Sequence, residues 1–418
     1  MDTDWTIPLL LNGYEGLTRL RSRAGRDTVS FRFLGRRATC LVGPDAAELF
    51  YDPETFDREG VVPPHVQKTL FGDTAVHLLS GPEHLTRKSL FLSALDVDGT
   101  RALTASVVGA FDEAAGGWGG AHIVLFDAAA EVLTRAVHDW AGVPLRDPDV
   151  AATARDMVSM VDGFATVGPR YGRARRARLR QEDKIAALAV DIRAGRGVVR
   201  QGSPMELALR HRDVSGEPLD EHTVAVEMLN LLRPTVAVAW LVSFAAHALH
   251  HWPVECALLD RAERGRATAF AHEVRRFYPF VPALGARAVR DASFDGVEIP
   301  RGSLGLLDVF GQNHHPALWQ EPWRFSSHRF MSSPPGMYDL VPQGGGDPET
   351  GHRCPGEPVA VSILEALAPR LLRLVDQVPP QDLRVTRRRV PARVRSGVRV
   401  RPVVRHDAGS PSATTVPS

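Results

Sequence analysis

One stretch of the chain combines residue types that could do redox chemistry: Gln343-Gly344-Gly345-Gly346-Asp347-Pro348-Glu349-Thr350-Gly351-His352-Arg353-Cys354-Pro355-Gly356-Glu357. It sets a single cysteine behind a glycine-rich loop and ahead of a helical pattern that runs to about residue 374. Free N–H groups and the helix dipole favour negative charge at such a position, so Cys354 is expected to ionise readily, and Arg353 should push the same way. The glycines should let the backbone approach a flat ligand closely. A lone thiolate with no partner cysteine nearby suits the axial position of haem iron. The alternative is a buried or merely reactive cysteine, and the length and specificity of the surrounding residues favour haem.

A second chemical signal lies upstream. Residues 229–246 read LNLLRPTVAVAWLVSFAA, apolar except around Arg233 and Pro234. A membrane span is disfavoured, because an arginine near its middle is costly and flanking anchors are missing. Burying the Arg233 guanidinium among Leu231, Leu232, Val236 and Val238 costs several kcal/mol unless an anion meets it. Glu227, six residues earlier, is not aimed at it by the helix turn. The partner is then a carboxylate elsewhere in the fold or the carboxylate of a ligand, and this stretch alone leaves both open. Pro234 is expected to kink the helix by removing one hydrogen bond.

Other constellations are weaker in isolation. Glu273 and Arg276 share a helix face at i, i+3, which is usually only a surface pair. His84 and Lys88 lie one helical turn apart and would suit anionic propionates, or simply face solvent. His77 sits in the apolar run Ala75-Val76-His77-Leu78-Leu79, where a histidine is most often a core residue. H-E-x-x-H, a Walker loop, a G-x-G-x-x-G after a strand and G-x-S-x-G do not occur.

The elements that must position these residues are mostly helical. Strand-like runs at 29–34 and 38–42 precede a helix over 44–51. Residues 82–195 read as helix with breaks near 116–120, 144–149 and 168–172, and further helices are predicted over 220–250, 267–278 and 355–375. Short strand signals lie near Val289 and Val297, residues 313–330 look irregular, and the closing Arg/Val segments read as a hairpin turning at Ser396-Gly397. The fold expected is mainly α with small β-sheets, a single unit over residues 1–405, followed by a disordered polar tail at 406–418.

The chain has 418 residues, net charge +1 and 44% apolar residues, an ordinary globular composition. Its three cysteines, Cys40, Cys256 and Cys354, are odd in number and far apart, which argues against a disulfide framework and for a reducing compartment. With a start that lacks signal-peptide character, the expected location is the cytoplasm. Arginine-dense stretches at 170–180 and 384–405 could be read as a nucleic-acid patch, but acidic residues nearly balance basic ones, so solvated faces are favoured and no nucleic-acid partner is expected.

Together, Glu273-x-x-Arg276, Arg329-Phe330 and Gly351-His352-Arg353-Cys354-Pro355-Gly356 resemble the cytochrome P-450 superfamily. Arg233-Pro234, the Gln343-to-Asp347 insertion, Thr69-Leu70-Phe71-Gly72, Phe277-Tyr278-Pro279-Phe280 and the run from Val161-Asp162-Gly163-Phe164 to Arg170 narrow the likeness. They resemble the bacterial fatty-acid peroxygenases, which include α- and β-hydroxylases and an olefin-forming decarboxylase. The resemblance implies a single-domain cytochrome P-450 fold with a buried haem b, with Cys354 as axial ligand and His84, Lys88 and Arg353 near the cofactor. It implies Arg233, with Pro234 beside it, as the carboxylate-binding residue, His77 near the substrate α and β carbons, and Phe71, Val161 and Phe280 along the acyl channel. Glu273, Arg276 and Arg329 would be structural. It further implies long-chain fatty acid and hydrogen peroxide as substrates, with no obligatory redox partner. The acid–alcohol pair of ordinary monooxygenases is missing, since Thr235 has no adjacent acid. The alternative is a redox-partner-dependent monooxygenase acting on another small carboxylic acid.

Overall fold

The computed structural model describes residues 3–120, 122–164, 166–332, 334–375 and 378–402. The tail expected at 406–418 lies outside them. The organising element is the helix Glu221–His251, 31 residues long. Asp220 starts it by accepting the Thr223 N–H at 3.0 Å, an N-cap that answers one of the free donors of the first turn. Its sequence is apolar all round, which is the pattern of a helix surrounded by protein. Residues Thr223 through Leu249 are accordingly buried apart from Pro234. It is the one described helix long and apolar enough to cross a membrane, and nearly all of that stretch is packed inside the fold. The helix continues through Pro234 without interruption.

Helices Leu125–Ala141, Val150–Gly163, Pro169–Arg193 and Glu357–Val375 pack on this central rod. Trp240 meets Phe126 edge-on, with ring centroids 4.7 Å apart, and anchors one of these contacts. A five-stranded sheet forms beside the helical body in the order Val29–Phe33, Arg36–Leu41, Leu304–Leu307, Leu284–Ala288, Phe56–Asp57. Its registers include Val29 opposite Cys40 and the parallel pair Ala38 with Leu304.

Three expectations need correction. The helical run over 82–195 has a further break, because Asp96 caps a new helix, Val97–Gly116, by accepting the Gly99 N–H at 2.7 Å. The break expected at 168–172 falls earlier, and Pro169 takes the first position of the next helix, where its missing N–H costs nothing. The closing Arg/Val hairpin is reduced to one bridge, Val385 to Val394. Strand Arg399–Val400 instead pairs antiparallel with Ile123–Val124, so the end of the chain is tied to a remote element that local alternation cannot reveal.

Candidate active site

The cysteine loop is held from behind by two networks of buried charge. In the helix Arg266–Phe277, Arg276 makes a two-pronged pair with Glu273, at 2.7 and 2.8 Å, and donates to the carbonyls of Asn313 and Pro322. Arg329 Nε approaches Glu273 Oε2 at 3.0 Å, and the Ser326 N–H donates to Glu273 Oε1 at 2.8 Å. The two arginines expected to be structural therefore converge on the Glu273 carboxylate, and together they pin the irregular segment 313–330. The second network was not foreseen. Arg275 donates to Gln343 Oε1 at 2.7 Å and to Glu357 Oε1, bracing both ends of the cysteine loop, and the Cys354 N–H closes it on the Gln343 carbonyl at 3.0 Å.

Gly344 and Gly345 pack closely against side chains: a Cβ there would sit 2.8 Å from the Tyr51 hydroxyl and 3.1 Å from the Tyr338 ring respectively. One expectation about this loop changes. Burial raises the Cys354 thiol pKa, against the pull of the Gly356 N–H and of Lys88 and Arg275, with Glu357 also raising it. Arg353 cannot overcome this, because its guanidinium is held by Glu357 at 2.7 Å. Ionisation of this thiol therefore calls for a bound metal rather than for the helix dipole alone.

Facing the loop is a cluster of bases with few anions. His84 stacks on His352 at 4.1 Å between ring centroids. Burial, Lys88 and Arg58 push His84 down to about 4, and burial, Arg58 and His84 push His352 down to about 2. Lys88 is lowered to about 8, chiefly by burial. Its ammonium donates to the carbonyls of Gly351 and Arg353, so it grips the cysteine loop directly. Arg58 rides over Phe50, 4.7 Å from the ring centroid, and its Nη2 is buried without a partner. A cofactor that brings one metal, four nitrogen ligands of its own and two carboxylates would fit this set: Cys354 would supply the thiolate, Arg58 and Lys88 cations for the acids, and the uncharged His84 an N–H donor. No group of three or more His, Cys, Asp or Glu side chains placed to hold a metal ion occurs among the described residues.

The central helix presents Arg233 buried and without a carboxylate partner among the described residues. Among the described residues its one hydrogen bond is a long one, Nη2 to Asn230 Oδ1 at 3.4 Å, and Nε has none. Burial and nearby Arg178 lower it to about 9, partly offset by Cys354, so it stays charged at neutral pH. Glu227 is occupied elsewhere: it accepts Arg87 at 2.9 Å and the Val76 N–H at 2.8 Å. That bond fixes the turn Val76–Leu78, which carries His77. His77 stacks on Phe71 with centroids 4.2 Å apart, its Nδ1 is buried without a partner, and burial together with Arg233 lowers it to about 3.

The Phe71 segment is held by residues that sequence reasoning missed. Arg178, fully buried, pairs with Glu182 at 2.6 Å and donates to the carbonyls of Leu70 and Phe71, while Asn230 donates to the same Phe71 carbonyl at 2.9 Å. Gly72 follows at φ +94°, and a Cβ there would lie 2.4 Å from the Arg178 guanidinium. Val161 is buried on the helix Val150–Gly163, and Phe280 meets the Trp240 ring at 6.1 Å. Arg58, Arg178 and Asn230 carry no motif that points to them. Only their juxtaposition across more than a hundred residues reveals them.

A helical fold built on one long central helix, with a half-buried loop cysteine backed by a Glu–Arg–Arg network, is the architecture of a haem-thiolate protein. Comparisons narrow the class. The family model for cytochrome P-450 matches residues 258–385. Vinorine hydroxylase of Rauvolfia serpentina is 33% identical over 125 residues, covering 28% of this chain and only 25% of that protein. Cytochrome P450SP alpha, solved in complex with (R)-ibuprophen, is 38% identical with TM-score 0.91, covering 95% of this chain and 98% of its own. Cytochrome P450EX alpha with myristic acid is 36% identical with TM-score 0.89, covering 96% and 98%. Ligand-free cytochrome P-450 OleT is 31% identical with TM-score 0.91, again covering 96% and 98%. The chain belongs to the bacterial fatty-acid peroxygenase family of the cytochromes P-450, and it is a haem-thiolate enzyme.

Proposed function

We propose that residues 1–405 form one haem b unit that oxidises long-chain fatty acids at the α or β carbon with hydrogen peroxide, giving hydroxy acids and, by loss of carbon dioxide, terminal alkenes. One observation carries this reading: a buried guanidinium, Arg233, with no carboxylate to neutralise it among the described residues, in an otherwise apolar wall. The desolvation cost of such a charge is offset only when an anion arrives, and a bidentate carboxylate with a hydrocarbon tail fits both the charge and its surroundings. The Phe71, Val161 and Phe280 side chains are assigned to the acyl tail, and the Arg233-bound head group then lies near His77.

The bound acid also supplies a catalytic group that the chain lacks. Thr235 donates its hydroxyl to the Leu231 carbonyl at 3.0 Å and has no acid beside it. The substrate carboxylate, ion-paired to Arg233, takes over as the base that moves a proton between the two oxygens of hydrogen peroxide, so that one leaves as water. The oxidising equivalents come from the peroxide O–O bond, and haem under a thiolate, once bound, would convey them to the C–H bond. Arg233 fixes the head group, Pro234 stands beside it, and His77, uncharged, offers one N–H to the head group or the leaving hydroxyl. The same argument disfavours a redox-partner-dependent monooxygenase acting on another acid.

The test is incubation of the haem-loaded protein with hydrogen peroxide and a panel of medium- to long-chain acids, with product identification. Turnover of acids but not of the matching alcohols is expected. Product formed only with an electron-transfer partner, and none with peroxide, would replace this reading with the monooxygenase.

A further inference from the structure

Four strongly exposed aliphatic residues gather at one corner. The short helix Thr6–Asn12 buries none of its residues: Ile7 is 68% exposed, Leu10 69% and Leu11 68%. Leu34, in the turn after strand Val29–Phe33, is 58% exposed, and its N–H donates to Thr6 Oγ1 at 2.6 Å, which places it against the same helix. Four aliphatic side chains in one small area exceed the scatter expected of a monomer surface.

The charge around them is mixed with a positive excess, although Arg19 and Arg26 pair with Glu15 and Asp295. Residues 3–37 hold seven arginines against three carboxylates, a net +4 in a chain whose total is +1. Arg19, Arg23, Arg26, Arg32, Arg36 and Arg37 are all exposed. The turn that follows the short helix carries Tyr14, whose hydroxyl donates at 2.7 Å to the carbonyl of Phe280, a residue assigned above to the acyl tail.

We infer that this corner is a docking surface for an anionic lipid layer, which the protein touches while taking up its acid. Aliphatic side chains that enter the acyl boundary, ringed by arginines at headgroup level, are the chemistry of an interfacial contact, and a seven-residue helix is far too short to span. A second copy of the chain fits less well, because a twofold contact through the patch would set its arginines against one another. The inference rests on the proposed fatty-acid function only for its purpose. The contact itself follows from the surface.

The experiment is co-sedimentation of the haem-loaded full chain with vesicles of phosphatidylcholine alone and of phosphatidylcholine containing phosphatidylglycerol. Binding to the anionic vesicles that weakens as salt rises is expected, with about a tenfold loss of partitioning for the exposed double variant Leu10→Ser, Leu11→Ser. Turnover of a short, water-soluble acid by that variant should match the parent, which reports folding and the proposed chemistry separately. No vesicle binding, or equal binding by the variant, overturns the inference. A concentration-dependent dimer abolished by the same substitutions, with no vesicle binding, overturns it in favour of a contact between copies. Vesicle binding without peroxide turnover would overturn the proposed chemistry and leave the surface intact.

Discussion

Replacing Arg233 with methionine should make the acid-free protein more stable, although it removes the group proposed to bind the substrate carboxylate. Burial holds the guanidinium at about 9 instead of 12.5, which at about 1.4 kcal/mol for each tenfold in proton affinity corresponds to about 5 kcal/mol of destabilisation. The folded state holds this proton less tightly than the unfolded one. The penalty is therefore fully present below pH 9 and is relieved as pH rises through that value. Water entry reduces it, and the Asn230 carbonyl loses a weak partner worth about 1 kcal/mol, so a net gain of about 1–3 kcal/mol is expected for Arg233→Met. For a chain of 418 residues, whose unfolding entropy is about 0.9 kcal/mol per degree, this raises Tm by about 1–3 °C. A long-chain acid at about a hundred times its Kd should add about 2.7 kcal/mol to the parent and nothing to the variant, reversing or erasing the order. Scanning calorimetry of both proteins with and without acid measures all four values. A variant that melts below the parent without acid, yet gains as much from acid as the parent, would refute the reasoning that Arg233 is an uncompensated charge waiting for a carboxylate.

Glu273→Ala leaves Arg276 and Arg329 as buried cations without a carboxylate and should cost about 3–5 kcal/mol, read as loss of haem-loaded protein and a lower denaturant midpoint. Arg58→Ala removes a buried cation proposed to meet a haem carboxylate and should speed haem transfer to an acceptor protein by about ten- to a hundredfold; an unchanged transfer rate would remove Arg58 from the cofactor site. His77, lowered to about 3, is uncharged at ordinary pH, so the alkene-to-hydroxy ratio should stay flat between about pH 6 and 8 and move in His77→Gln. A ratio that titrates near 6.5, or one indifferent to the substitution, would end the role assigned to His77. Asn230→Asp places a carboxylate 3.4 Å from Arg233 and should weaken acid binding by about tenfold or more, measured by the acid-induced shift of the haem absorption band.

How much of this was legible beforehand follows physical lines. The cysteine loop, the Glu273–Arg276 pair and the central helix are local patterns: their spacing along the chain is their geometry, and they were readable to within a residue or two. The Arg233 problem was legible as a problem, an arginine in an apolar helix, but not its solution, because the competing carboxylates come from anywhere in the fold. Illegible altogether were residues defined by a distant partner. Arg178 earns its place through the Leu70 and Phe71 carbonyls, more than a hundred positions away, and Arg58 through one nitrogen, Nη2, buried without a hydrogen-bond partner among the described residues. The thiol was misjudged for a related reason. A helix start is visible in sequence, whereas the burial that outweighs it is a property of everything packed around Cys354.

The carboxylates near the site explain why Arg233 remains unpaired. Glu227 is the nearest acid along the helix, yet it is committed to Arg87 and the Val76 N–H, and its remaining oxygen takes the Asn230 amide at 3.2 Å. Glu182 is committed to Arg178, Glu357 to Arg275 and Arg353, and Glu273 to Arg276 and Arg329. Every one of these buried acids is locked by a short charged hydrogen bond before it could turn toward Arg233. Asn230, placed between Glu227 and Arg233, is neutral: its amide nitrogen serves Glu227 and Phe71, and only its carbonyl is turned to the guanidinium. A charged residue there would have neutralised Arg233 from within. The uncharged amide keeps the pocket electrostatically incomplete, and that incompleteness is what an incoming acid corrects.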